Sequence, residues 1–310
     1  MDGRVIGSVG GLFEVLVSEG GEENRLLCRA RGSLRRDDAR VLVGDRVLIS
    51  HAEERKQESY VITDVLPRNN ALIRPPLANL DRMYVVLAAA DPVPMPDTTD
   101  KLLAIMEHNH IAVTMVLTKI DLAPAAAAQQ AALYRAAGYE VFAVCAPQQE
   151  GIAPLLAHVQ SHLAGGHTAA LAGASGVGKS SLLNALFPSL SLTTGEISRK
   201  IGRGKNTTRC TALYPVFGKA ELGFLADTPG FSMLDFSRFD FMTWQDLPYA
   251  FREFSPYIGK CRYSDCNHVK EEECAVRDAV AAGKIAHSRY ESYTALYQTL
   301  RHKNVYGNEK

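Results

Sequence analysis

Short apolar runs separated by glycines and charges fill the first 66 or so residues, at 4–8, 12–17, 24–30, 46–50 and 60–66. Runs of this length bounded by turn residues predict β-strands, and five of them in so short a span predict a small barrel. The OB type is the common solution and an SH3-like barrel the alternative; alternation by itself does not separate them. From about Ala71 the rhythm changes. Apolar runs at 83–89, 111–117, 141–144 and 169–172 read as buried parallel strands, and helical stretches at 100–108, 125–137 and 152–163 lie between them. This βα alternation predicts a doubly wound α/β domain, closed by runs at 211–216 and 222–226. Beyond Phe231 the chain turns irregular and aromatic. It ends in a predicted helix, with Ser288 and Glu291 as a capping box and Tyr290, Tyr293, Tyr297 and Leu300 on one packing face.

Composition narrows the class. With 46% hydrophobic residues in 310, the chain can bury more than one core. No run of eighteen apolar residues predicts a membrane span, and Met1-Asp2-Gly3-Arg4 does not open a targeting segment, so the expected compartment is the cytoplasm. Lys plus Arg equals Asp plus Glu at 34 each, so any nucleic-acid footprint must be local. Two stretches qualify: Arg29, Arg31, Arg35, Arg36 and Arg40, and Arg199, Lys200, Arg203, Lys205 and Arg209.

The densest chemistry is Gly173-Ala174-Ser175-Gly176-Val177-Gly178-Lys179-Ser180. This phosphate-loop pattern follows a predicted strand and precedes a helical run from Ser181, the context such a loop requires. Its backbone N–H groups are expected to converge on a β-phosphate, with Lys179 reaching the β/γ oxygens, Ser180 holding Mg²⁺ and Ser181 completing the contacting set. The base is predicted by Thr118-Lys119-Ile120-Asp121 after the 111–117 strand. The Asp121 carboxylate can accept from guanine N1–H and the exocyclic amine, which adenine does not match, while the Lys119 stem covers the base face. Val144-Cys145-Ala146 ends the next strand, where a backbone N–H can meet guanine O6. Most GTPases carry Asn where Thr118 stands, so one bracing hydrogen bond is expected to change.

The order of these loops is unusual. The base-reading loop precedes the phosphate loop, whereas in ordinary GTPases the phosphate loop opens the domain. Asp227-Thr228-Pro229-Gly230 then matches a loop that meets Mg²⁺ through water and offers the Gly230 N–H to the γ-phosphate. Between them, Gly202-Arg203-Gly204-Lys205-Asn206-Thr207-Thr208 has the makings of a switch, with Thr208 ahead of Thr207 as the residue closing on Mg²⁺.

Six cysteines are unevenly spread. Cys261-x4-Cys266-x-His268-x5-Cys274 offers three thiolates and one imidazole, a donor set for tetrahedral Zn²⁺ in a closed, structural site. Cys28, Cys145 and Cys210 read as free thiols.

Taken together, the loop order, the barrel before it and the cysteine cluster after it resemble the RsgA (YjeQ) family of circularly permuted, ribosome small-subunit-dependent GTPases. The likeness extends to Pro67-Arg68-Asn69-Asn70-Ala71-Leu72-Ile73-Arg74-Pro75. It implies a multidomain α/β chain: an OB-type β-barrel over 1–68, a circularly permuted P-loop GTPase domain over 69–235 and a zinc-binding helical domain over 236–310. It further implies GTP/GDP, Mg²⁺ and one structural Zn²⁺ as cofactors, the small ribosomal subunit and its rRNA as partners, a monomeric state, and a part in late subunit maturation. Family members usually carry His before the paired threonines; Asn206 stands there, able to orient water but not to act as a base. Phe231 stands where Ras-like enzymes place a water-orienting Gln. Weak intrinsic hydrolysis raised by a partner is therefore expected. A GTP-dependent switch acting on a protein without RNA is the alternative, and an ATP-using enzyme is disfavoured by Asp121.

Overall fold

The computed structural model describes residues 1–19, 22–35, 40–54, 57–188, 211–216, 223–227, 236 and 239–306. The chain divides into two compact units, one of Met1–Arg82, Ala157–Leu171 and Leu192–Gly230, the other of Met83–Leu156, Ala172–Ser191 and Phe231–Lys310.

The first unit opens with β1 (Asp2–Val9), β2 (Leu12–Glu19), β3 (Glu22–Ala30), β4 (Arg46–Glu54) and β5 (Gln57–Val65), closed into a barrel of order β1-β2-β3-β5-β4. Strands β3 and β5 run parallel, and the other neighbouring pairs are antiparallel. That parallel seam is the OB arrangement and excludes the SH3-like one. Alternate residues point inward, so Val5, Val15, Val47, Ile62 and the Cys28 thiol are sealed in the barrel core. Strands outrun their apolar patterns because cross-strand pairing carries the β4·β5 ladder on to Glu54 and Gln57.

A polar network anchors the barrel within this unit. Arg4, nearly buried, donates to the Thr168 hydroxyl at 2.6 Å and the Asn79 carbonyl at 3.3 Å, with its guanidinium over the Phe224 ring. Asp45, fully buried, accepts from Arg68 at 2.6 and 2.8 Å and from the Leu42 N–H at 2.7 Å. Gly44 is left-handed, and a side chain on it would strike the Ala78 carbonyl at 2.0 Å, so only glycine allows this approach. Beyond the hairpin β6 (Ala71–Leu72) and β7 (Leu77–Ala78), the unit takes in β12 (Ala212–Val216) and β13 (Gly223–Asp227); β13 pairs parallel with β11 (Thr168–Ala172) and antiparallel with β12.

The second unit holds β8 (Arg82–Ala88), β9 (Ala112–Thr118) and β10 (Glu140–Ala143) in the order β10-β9-β8. Near-continuous burial of β8 and β9 explains their unbroken apolar runs, since both faces are covered. Helices α1 (Pro96–His108) and α2 (Pro124–Ala136) each start on a proline, whose missing N–H costs nothing at a helix start. After α3 (Ile152–Leu163) come α4 (Lys179–Leu186), α5 (Ala275–Ala281) and α6 (His287–Tyr306).

Tyr293, Tyr297 and Leu300 of α6 are buried, Tyr293 against Phe251 and Phe254, which makes the tyrosine stripe a packing face. One expectation is corrected here. The helix begins at His287, so Ser288 lies inside its first turn rather than capping it, and the Glu291 carboxylate meets His287 Nδ1 at 3.3 Å. Among the described residues no helix is long and apolar enough to cross a membrane.

Candidate functional site

Strand β11 ends at Ala172 and α4 starts at Lys179, so the loop 173–178 bends between a buried strand and a helix N-terminus. Two glycines make the bend possible. A side chain on Gly173 would come 2.3 Å from the Val86 carbonyl, and Gly178 caps the helix at φ 92, in the left-handed region. Ala174, Ser175 and Gly176 are exposed at the loop's crest, Val177 is buried beneath it, and Ser180 and Ser181 are exposed on the first turn of α4. Lys179 Nζ donates to the Gly173 and Ala174 carbonyls, both at 2.7 Å, so its ammonium spans the loop that N–H groups and the helix dipole make attractive to an anion. Burial lowers the Lys179 pKa. A phosphate beside it would supply the charge that the loop carbonyls match only in part.

Thr118 ends β9 against this loop. Its hydroxyl, 4% exposed, lies 2.6 Å from the Val177 carbonyl and 3.1 Å from the Leu87 carbonyl. The 118–121 loop is thus fastened to the 173–178 loop by a threonine hydroxyl, the changed brace expected from Thr118 standing in place of Asn. Lys119 turns through φ 55 and donates from Nζ to the Asp91 carbonyl at 2.5 Å, while Asp121 is exposed. Burial raises the pKa of the Cys145 thiol, and the Asp121 carboxylate adds to the rise. The Val144 and Cys145 N–H groups are engaged by Leu117 and Glu150 carbonyls, at 2.7 and 3.0 Å. The Ala146 N–H donates to no backbone carbonyl among the described bonds.

Thus Thr118, Lys119, Asp121, Cys145, Ala146, the 173–178 loop, Lys179, Ser180 and Ser181 all belong to one compact unit. Asp227 ends β13 with its backbone paired to Ala212, and its side chain lies outside the described residues. So do Asn206, Thr207, Thr208, Gly230, Phe231 and Cys210.

In the same unit the ligand atoms of Cys261, Cys266, His268 and Cys274 lie within 4.8 Å of one another. Zinc bonds of about 2.3 Å to sulfur and about 2.0 Å to nitrogen set tetrahedron edges of about 3.8 Å between sulfurs and about 3.5 Å between sulfur and nitrogen. The Cys261 and Cys274 sulfurs are 3.9 Å apart, and each lies 3.5 and 3.4 Å, respectively, from His268 Nδ1. The donor set and its spacing fit a tetrahedral zinc ion. Burial pushes the Cys266 thiol up to about 12, raises Cys274 and lowers the His268 imidazole, and a divalent cation would draw off the thiol protons.

Two sets of supporting residues escaped the sequence reading. Glu271 reads as one of three consecutive glutamates on a solvated turn, yet its carboxylate receives the N–H groups of Asn267, Val269 and Lys270 at 3.1, 2.9 and 3.0 Å. Burial would raise its pKa, but these backbone donors outweigh it and hold the carboxyl at about 2. Arg289, 2% exposed, joins Asp100 of α1 to Glu253.

Comparison with known proteins agrees with this geometry. The RsgA GTPase family model matches residues 65–237, and the RsgA N-terminal domain model matches 2–61. Small ribosomal subunit biogenesis GTPase RsgA of Geobacillus thermodenitrificans is 39% identical over 97% of this chain and 98% of its own. Its counterpart in Agathobacter rectalis is 36% identical over 99% of this chain and 100% of its own. Among solved structures, YjeQ from Thermotoga maritima aligns with a TM-score of 0.75 at 32% identity, covering 96% of this chain and 98% of that one. YloQ, described as a circularly permuted GTPase, aligns with the same score at 30% identity, covering 97% and 95%. The chain belongs to the RsgA GTPase family.

Proposed function

We propose that this chain is a GTP hydrolase of ribosome biogenesis, which binds the small ribosomal subunit, assists its late maturation and hydrolyses GTP faster on that particle than alone. The observation that carries the reading is the bond between Thr118 and Val177, which fastens a guanine-reading loop that comes first in the chain to a phosphate loop that comes later. Full-length relatives named for small ribosomal subunit biogenesis support the choice of partner.

In this reading Lys179 leaves its loop carbonyls for the β- and γ-phosphate oxygens, and the loop N–H groups from Ala174 to Ser181 surround the β-phosphate. Asp121 accepts from guanine N1–H and the amine; the Ala146 N–H meets O6; the Lys119 stem covers the base. Ser180 and Thr208 would hold Mg²⁺, with Asp227 supporting it through water, and the ion would supply charge neutralisation for the phosphates. The Gly230 N–H meets the γ-phosphate, and Asn206 orients the attacking water without taking its proton. Hydrolysis by the chain alone is slow, because neither Asn206 nor Phe231 supplies a base, and the particle completes the site.

Roles follow the sequence: rRNA contact in the barrel (1–68), nucleotide chemistry in 69–235 and one structural zinc in 236–310. Exposed Arg29, Arg31 and Arg40 suit phosphate contact, while Phe13 and Tyr60 pack partly into the barrel core, so base stacking contributes little. The protein acts as a cytoplasmic monomer. Co-sedimentation with small subunits across a salt series tests this reading. Binding should be tighter with a non-hydrolysable GTP analogue than with GDP, and should weaken steeply with salt. Equal binding in both nucleotide states overturns the switch, and salt-independent binding favours a protein partner without RNA.

A further inference from the structure

The zinc-ligand loop is gripped by helix α6. Tyr290 Oη donates to the carbonyl of the ligand His268 at 2.9 Å, and Tyr293 Oη donates to the Asn267 carbonyl at 2.6 Å. His268 itself stands at φ 60, a conformation that needs such support. The residue next to Tyr290 is Arg289, whose Nη1 donates to Asp100 of α1 and whose Nε donates to Glu253 at 2.7 Å. Its guanidinium is sandwiched near Phe251 and Tyr139, at 4.7 and 5.9 Å from the ring centroids.

From Asp100 the line continues to the nucleotide loops. Helix α1 follows directly on the 91–95 segment, in which the Asp91 carbonyl accepts Lys119 Nζ. Pro92 packs so near the phosphate loop that a side chain on Gly176 would meet its ring at 3.7 Å. A buried ion triad is a poor way to gain stability, because desolvation consumes most of the Coulomb attraction; what it does supply is a fixed orientation of the elements it joins. Here those elements are the helix that holds the metal loop and the helix that follows the rim of the base site.

We infer that a zinc ion in the Cys261/Cys266/His268/Cys274 cluster and a guanine nucleotide at the Thr118–Asp121 loop raise each other's affinity, with Arg289 as the link. The inference rests on the zinc and guanine assignments proposed above. The ion fixes the loop that Tyr290 and Tyr293 hold, the first turn of α6 is fixed with it, and Arg289 carries that order to α1 and the 91–95 rim. Linkage makes the effect reciprocal and equal in the two directions.

The test uses the full chain. Fluorescent GDP is titrated against zinc-loaded and chelator-stripped protein, and the rate of zinc release to a colorimetric chelator is followed with and without GDP. In the wild type, zinc removal should weaken GDP binding about fivefold or more, and GDP should slow zinc release by a similar factor. Arg289→Lys keeps a charge in the triad but, as a point charge, does not bridge both carboxylates, so both dependences should shrink towards one. The two wild-type measurements stand whether or not that variant folds. Zinc and GDP each binding with no effect of one on the other overturns the inference alone. Failure of the loaded protein to bind GDP, or of the cluster to hold zinc, overturns the site assignment beneath it as well.

Discussion

The hydroxyl of Thr118 reaches the carbonyl oxygen of Val177 at 2.6 Å, so the side chain that ends β9 holds the phosphate loop directly. Both groups are buried, and the hydroxyl proton has no better acceptor in reach, since the Leu87 carbonyl is farther at 3.1 Å. Thr118→Val keeps the shape and removes the donor, leaving a buried carbonyl unmatched at a cost of about 1–3 kcal/mol. GDP affinity, measured by fluorescence titration, should fall roughly 5- to 150-fold. Thr118→Ser should retain most of it.

Asp121 should make the protein distinguish bases by their 2-amino group. Inosine diphosphate lacks that amine and so loses one hydrogen bond to a carboxylate, worth about 1.5–3 kcal/mol. GDP should therefore bind roughly 10- to 150-fold more tightly than IDP in direct competition.

Glu271 should give the metal loop a distinctive acid response. Its folded pKa of about 2 lies below the ordinary glutamate value of 4.5, so its contribution is complete above pH 4.5 and is lost as pH falls through about 2. In zinc-stripped protein, hydrogen-exchange protection of the Asn267, Val269 and Lys270 amides should hold from pH 8 to 4.5 and decline below it. Glu271→Gln turns one acceptor into a donor, and should lower that protection at every pH above 4.5 and speed zinc release at pH 7.

Legibility in the sequence divided along a physical line. Strands of the barrel, the phosphate loop and the cysteine cluster were all readable, because each is written in local periodicity or spacing. Arg289 was not, since its partner Asp100 is 189 positions away and nothing local distinguishes a buried arginine from a solvated one. Glu271 was hidden by its neighbours Glu272 and Glu273, which are exposed. The Ser288–Glu291 spacing misled because Glu291 found His287 within the helix instead. At Thr118 the departure from the commoner Asn was visible, but only the fold shows that a hydroxyl reaches the same loop.

Arg4 should govern how firmly the barrel is joined to β11. Arg4→Ala removes charged hydrogen bonds to Thr168 and Asn79, a loss of about 1.5–3 kcal/mol. Thermal unfolding of the full chain should move down by roughly 3–10 °C. Arg4→Lys, unable to meet both acceptors with one fork, should recover only part of the loss.

Hydrolysis of GTP should answer to the small ribosomal subunit, and phosphate release from GTP and from ATP, measured on the full chain with and without purified small subunits, decides whether it does. Release from GTP alone should be slow and should rise about tenfold or more on adding small subunits, with no comparable rise with large subunits and negligible release from ATP. Equal release from ATP and GTP, or a GTP rate indifferent to small subunits, would contradict it.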